Sequence, residues 1–349
     1  MCMKKSTKNL LWLLLLIVLT VCTVLVITSC SKRFSFKGFM HLISNASPVW
    51  ILFAALCAFG FVFFEGMGLK CTCDFLGEPI TTGKSILYSA TDIYFSALTP
   101  SAAGGQPAAL LMMMNHGVSA AVSAIALLLN LVMYTVSIML ISTVCFIVYP
   151  EMLFKLDTGA LIFIIIGAVV QVLFIVLFVM CIFNEKLVLA VCRFCLKLLC
   201  RMKIFHDYDE HYEKLLSMIK QYKECGILLR RKTVLLLKVF FHNLMQRLSV
   251  IMVAVCVFVG VGGAPSRAFE AFAAQTFAVL GSNAAPVPGA VGIVDYIFLN
   301  GFEHLVADPV SVELLSRGLS FYCNLIFCGI LMFVNFIRMK PKTGLERND

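Results

Sequence analysis

The sequence predicts an all-α integral membrane protein with about six transmembrane helices and two re-entrant broken-helix elements, arranged as an inverted repeat. Three observations carry this. Of 349 residues, 61% are hydrophobic and 13% charged, and the mean hydropathy is +0.96; soluble domains hold about 25% charged residues. Apolar runs recur from residue 10 to residue 337. Two further stretches are nearly as apolar but are interrupted by Gly and Pro at positions no regular helix tolerates.

A helix needs about 20 apolar residues to cross the hydrocarbon core. The first candidate is Leu10 to Ile27, which follows Lys4, Lys5 and Lys8. It also has features of a signal peptide, including Ile27-Thr28-Ser29-Cys30 as a lipoprotein-type cleavage box, but it exceeds the usual apolar core of a leader. An uncleaved first helix is the expectation. The other full spans are Pro48–Phe64, Ala120–Val148, Ala160–Phe183, Val234–Val259 and Val312–Ile337. The broken stretches are Lys84 to Gly117 and Pro265 to Leu305.

Charge tests the topology. With the N-terminus in the cytoplasm and both broken stretches returning to the side they enter from, segments 1–9, 65–118, 184–232 and 338–349 are cytoplasmic. They hold 20 of the 28 Lys and Arg, as the positive-inside rule expects. Five basic residues fall outside, and Lys238, Arg247 and Arg317 fall within spans. The outside cluster Lys32, Arg33 and Lys37 runs against the pattern. Both termini come out cytoplasmic, as in a multi-pass protein of the cell membrane. The broken stretches then enter from opposite faces, the arrangement of inverted-repeat transporters whose interrupted helices meet at the midplane. The repeats would cover about 48–148 and 233–337 of a single membrane domain. The basic segment 184–232 between them reads equally as a solvated helical connector or as an inner-leaflet surface helix.

The net charge of +9 is explained by orientation, and no nucleic-acid module pattern is visible. Most of the 15 cysteines sit singly in apolar runs, where Cys packs as a small hydrophobe. Cys71 and Cys73 lack a partner pair, and Cys192, Cys195, Cys200 and His206 lack the two tight pairs of a structural zinc site. No metal or other cofactor is expected. Thr82-Gly83-Lys84-Ser85 lacks the upstream Gly of a phosphate-binding loop, so transport would run down a gradient or couple to an ion.

Irregular backbone within a membrane must be buried or line a wet cavity, and ionisable groups there are costly and usually functional. In the first broken stretch, Asp92 precedes Thr99-Pro100-Ser101, and Gly104-Gly105-Gln106-Pro107 opens a new helix whose N-terminal N–H groups could hold an anion. In the second, Pro286, Pro288, Gly289 and Gly292 precede Asp295. The span facing it carries His242, Asn243, Gln246 and Arg247. Arg247 could hold a phosphate bidentately, or could be spent on an internal ion pair with Asp295, Asp92 or Glu65. Asn130 and Tyr134 are weaker candidates.

The run from Leu98 to Pro107, Leu-Thr-Pro-Ser-Ala-Ala-Gly-Gly-Gln-Pro, resembles the early Thr-Pro-x-x-x-Gly-Gly-Gln-Pro segment of the lysylphosphatidylglycerol synthase transmembrane, flippase-like family. Pro286-Val287-Pro288-Gly289-Ala290-Val291-Gly292 resembles its late Pro-x-Pro-Gly-x-x-Gly segment, and Gly117-Val118-Ser119 and the length agree. The resemblance spans almost the whole chain. It implies lipid handling: movement of a phospholipid with an anionic or aminoacylated headgroup, such as lysyl-phosphatidylglycerol, between leaflets, as in the membrane part of the multiple peptide resistance proteins. Taken with the charges at depth, it makes Asp92, Thr99, Pro100, Ser101, Gly104, Gly105, Gln106, Pro107, Arg247, Pro286, Pro288, Gly289, Gly292 and Asp295 the expected lining of the headgroup path. The chain ends twelve residues after Ile337, so the soluble tRNA-dependent transferase domain is not expected. Many relatives carry a Glu-Arg pair in the helix where this chain has Asn130 and Tyr134, so the substrate need not be the same. A membrane lipid-modifying enzyme of the phosphatidylglycerol lysyltransferase type, or a partner subunit of a separate synthase, are the alternatives. Homo-oligomerisation stays open.

Overall fold

The computed structural model of the chain describes residues 36–99, 102–184, 232–283, 285 and 287–338, with a few isolated positions between 184 and 232. The first candidate span, nearly all of the basic segment, and with it Cys192, Cys195, Cys200 and His206, lie outside the described residues. All regular structure among the described residues is helical.

The elements follow the polarity pattern. α1 (Phe36–Asn45) is a short amphipathic helix in a stretch the hydropathy leaves as an outside connection. α2 (Pro48–Phe75) starts with Pro48 in its first turn, where the missing N–H has no helical partner in any case. It runs eleven residues past the Phe64 boundary that hydropathy suggests. Glu65 therefore lies inside a continuous helix, and it is buried. The first broken stretch is a helical hairpin: α3 (Thr82–Leu98), then α4 (Gly105–Asn115). Next come α5 (Ala120–Val148), the short α6 (Glu151–Lys155) and α7 (Thr158–Phe183). α8 (Thr233–Gly260) precedes the second hairpin, α9 (Ala268–Ser282) and α10 (Ile293–Phe302). α11 (Pro309–Arg317) passes through a π-helical segment, Gly318–Cys323, into α12 (Asn324–Arg338).

Side-chain caps fix several starts. Thr81, Ser119, Asp157 and Asp308 accept the backbone N–H groups of Lys84, Val122, Ala160 and Ser311, the usual way the first turn satisfies its free donors.

Length separates two kinds of element. Five helices among the described residues are long and apolar enough to cross a membrane: α2, α5, α7, α8 and the α11–α12 unit. These are the five expected spans that fall within the described residues. The hairpin legs have 17, 11, 15 and 10 residues. At 1.5 Å per residue they reach about 15–26 Å, short of the ~30 Å hydrocarbon core. The legs of each hairpin pack on each other, and the turn of the second (Pro288–Ala290) lies against α3 of the first. The most extensive helix pair is α2 with α8, the two spans that precede the hairpins.

Backbones approach closely where α7 meets α9. A Cβ on Gly167 would run into the Leu280 carbonyl and Gly281 Cα. Small residues allow such approach in membrane bundles, where packing rather than water expulsion drives association. Gly167→Ala should cost about 1–3 kcal/mol, measured as a lower unfolding midpoint of the detergent-solubilised protein.

Candidate functional site

Both hairpin turns, α2, α5, α7, α8 and the α11–α12 unit surround a cavity of about 550 Å³. Its wall is mixed. Phe61, Tyr134, Phe174, Val287 and Phe321 give apolar surface, while Glu65, Asp92, Gln106, Gln246, Arg247, Glu313 and Arg317 give polar and charged groups. The charged groups fall into two clusters with different wiring.

The first cluster lies where α2 and α8 meet the first hairpin. Asp92 accepts hydrogen bonds from Ser96 Oγ at 3.1 Å and from Gln106 Nε2 at 2.6 Å. Asp92 comes from the first leg and Gln106 from the second, so the carboxyl ties the hairpin shut across its turn. Gly105 packs directly on the Asp92 carboxyl and the Ser96 hydroxyl, which a Cβ would overlap. The N-terminus of α4 thus faces an anion of its own hairpin, where the helix dipole favours negative charge. This is the turn at which the sequence suggests an external anion. Gly104 N donates to Thr99 Oγ1 at 2.8 Å, which uses another donor of that turn. Gly105→Ala should therefore destabilise the hairpin by about 1–3 kcal/mol or more, seen as faster limited proteolysis between α3 and α4.

Glu65 accepts a hydrogen bond from Gln246 Nε2 at 2.7 Å and lines the same cavity as Asp92. Asn243 Nδ2 donates to Asn130 Oδ1 at 2.7 Å, joining α8 to α5. Arg247 is 8% exposed. Its guanidinium lies over the Tyr134 ring at 4.1 Å and the Phe61 ring at 5.1 Å. It forms no ion pair with Glu65, Asp92 or Asp295 within 4.0 Å, and its Nε has no acceptor among the described residues.

The second cluster explains why. Asp295 is taken by Arg317, at 2.8 Å through Nη1, with both side chains buried. Arg317 Nη2 donates to the Gly289 carbonyl at 2.7 Å, and Glu313 lies 3.9 Å away. The other Asp295 oxygen accepts Gly292 N at 2.7 Å, capping α10. Arg317 thus pins the turn of the second hairpin. Both turns hold a non-glycine residue at positive φ, Ala102 at 54° and Ala290 at 51°, conformations that cost about 1 kcal/mol or more and persist only where surroundings impose them.

Of the residues the sequence points to, Asp92, Gln106, Arg247 and Gly289 line the cavity. Asp295 stands just behind it, on Arg317. Thr99, Gly104 and Gly105 form the first turn, with Thr99 Oγ1 donating to Phe95 O. Pro107 is exposed on α4, and Gly292 caps α10. Pro288 lies in the second turn. Pro100, Ser101 and Pro286 lie outside the described residues. Asn130 and Tyr134, the weaker candidates, both reach the cavity. Sequence reasoning passed over Glu313 and Arg317 as site residues. The signal was present: Arg317 is one of three basic residues within spans, and Glu313 precedes it by one helical turn.

The family described as "Lysylphosphatidylglycerol synthase TM region" matches residues 11–328. The chain belongs to this family. Its match covers both hairpins and all the cavity residues described above. The family relates the chain to membrane lipid metabolism, and the apolar helices make it a membrane protein. Searches of curated proteins and of solved structures found no match.

Proposed function

We propose that this membrane protein moves a phospholipid with an anionic or aminoacylated headgroup, such as lysyl-phosphatidylglycerol, between the leaflets of the cell membrane. The observation that carries the proposal is Arg247. A buried guanidinium with no carboxylate within 4.0 Å is expensive, and this one faces a cavity framed by both hairpins. Its planar donors suit a phosphodiester, and the Tyr134 and Phe61 rings hold it in place by cation–π attraction.

Further groups complete a headgroup site. Asn283 Nδ2 is a buried donor, and Gln246 Oε1 and Gln275 Oε1 are buried acceptors, without partners among the described residues. They could bind the hydroxyl, ester or ammonium groups of a headgroup, while Phe61, Phe174 and Phe321 give the glycerol and first acyl carbons an apolar path. The two hairpins fit the halves of an inverted repeat covering about 48–148 and 233–337, with both termini cytoplasmic. Alternating access would then be rocking of the halves about the α2–α8 contact.

The test is a leaflet-exposure assay in liposomes, with phosphatidylglycerol and lysyl-phosphatidylglycerol as separate cargoes, comparing wild type, Asp92→Asn and Arg247→Ala. Lipid exchange that is unchanged in both variants would refute the site.

A further inference from the structure

The last span is built in two pieces that pack on different parts of the molecule. α11 lies against α8 and α10. Arg317, its last residue, bonds Asp295 and the Gly289 carbonyl, so α11 is fastened to the second hairpin. α12 continues the same span, yet it packs on α3 of the first hairpin and on α2. Phe327 meets the Phe59 ring edge-on at 5.3 Å, and Cys328 is buried with Val62 and Ala90. A Cβ on Gly329 would come within 3.1 Å of the Tyr94 ring.

The π-helical segment Gly318–Cys323 joins the two pieces. It touches both α2 and α8, the contact about which the halves would rock. π-Helices are rare, and occur mostly as short interruptions of α-helices at functional sites. The hydrogen-bond register changes at Asn324. Its backbone N–H bonds the Phe321 carbonyl, three residues back, while its Nδ2 donates to the Ser320 carbonyl at 3.0 Å. A side chain that serves a main-chain acceptor lets the ladder open without leaving a polar group bare in the membrane. Gly318 adds backbone freedom, and a Cβ there would meet no packed neighbour within 4 Å.

Bending at this joint would reach the site. Phe321 lines the cavity, and its ring lies against Gly289, where a Cβ would come within 2.7 Å of it. The Arg317 guanidinium lies 5.2 Å from the same ring.

We propose that Gly318–Cys323 is the hinge of lipid transport. α12 moves with the first hairpin, α11 stays with the second, and Phe321 opens and closes the cavity wall between them. Asn324 is the positioning residue that keeps the backbone satisfied as the joint bends. The inference rests on the lipid-transport reading and names its moving part.

Two measurements test it. The first is leaflet exchange of phosphatidylglycerol in liposomes. A π-turn closes i→i+5 rather than i→i+4 bonds, so deleting one residue restores an uninterrupted α-helix. Cys323 is suited to this, being exposed and outside the cavity wall. The deletion variant should fold, with an unfolding midpoint at or above that of the wild type, and lose exchange. Gly318→Ala, which the open space tolerates, should slow exchange by about two- to fivefold, and it decides the matter if the deletion variant does not fold. Wild-type rates in a folded deletion variant, or in Gly318→Ala where the deletion does not fold, overturn the hinge.

The second measurement reads the motion itself. Spin labels are placed at Ala307 and Ile330, across the joint, with Ala307–Phe269 and Met114–Ile330 as pairs within each half; all four positions are exposed. The labels enter as non-native amino acids, which leaves the cysteines in place. In nanodiscs of phosphatidylcholine, the Ala307–Ile330 distance should take two values whose populations change when phosphatidylglycerol is added. The within-half pairs should keep one value, and the deletion variant should show one value for all three pairs. A single Ala307–Ile330 distance in a wild type that exchanges lipid overturns the hinge and leaves transport standing. Two distances without lipid exchange support the joint and sink the transport reading. A single distance without exchange sinks both.

Discussion

Arg317→Met should destabilise the protein by about 3–5 kcal/mol, among the largest effects expected of a single substitution here. The change leaves Asp295 and Glu313 as buried carboxylates without a counter-ion, and breaking a buried pair on one side costs about that much. It also frees the Gly289 carbonyl, which Arg317 holds at 2.7 Å next to Ala290 in its left-handed conformation. The turn of the second hairpin should loosen, and with it the cavity wall. Unfolding midpoints in detergent would show the loss, and proteolysis should concentrate between α9 and α10. Adding Asp295→Asn should restore part of the stability, because one uncompensated charge is removed. A midpoint unchanged in Arg317→Met would show that the ion pair does not hold the second turn.

Arg247→Met should have the opposite profile: stability kept or raised, lipid exchange lost. The guanidinium is buried and has no carboxylate within ion-pair distance. Its removal gives back a desolvation cost of several kcal/mol and forfeits cation–π contacts of about 2 kcal/mol. A group that destabilises its own fold is kept for what it binds. If its contact to a phosphodiester is a charge-assisted hydrogen bond of about 1.5–3 kcal/mol, exchange should slow by roughly 10–150-fold. Phospholipid that co-purifies with the wild type should fall in the variant. Both arginines line one cavity, so the pair of substitutions separates a structural cation from a binding one within a single protein.

Much of this was legible in the sequence because lipid imposes simple rules. Apolar length fixes the spans, and α2, α5, α7, α8 and the α11–α12 unit appear where the hydropathy puts them. Pro and Gly mark where helices stop, so both hairpins could be placed. Asp92 and Arg247 stood out as charges at depth. What could not be read was partnership. Whether Asp295 meets Arg247 or Arg317 depends on how α10 packs against α9 and α11, which no local pattern encodes. The end of α2 is hidden for a different reason. Hydropathy falls after Phe64, yet the helix continues to Phe75: Glu65 faces the cavity, and one turn on Lys70 pairs with Asp74 along the same helix. The α4 N-terminus shows the same limit: Gly104-Gly105 signals a helix start with free N–H groups, but the anion facing it is the chain's own Asp92.

The central claim is that the cavity between the hairpins carries a phospholipid headgroup held by Arg247. Its most direct test is the rate of leaflet exchange in liposomes reconstituted with wild type or Arg247→Met, both shown to be folded by their unfolding midpoints. The account predicts exchange in the wild type and a fall of at least about tenfold in the variant at equal or higher stability. Equal exchange by the two proteins would contradict it.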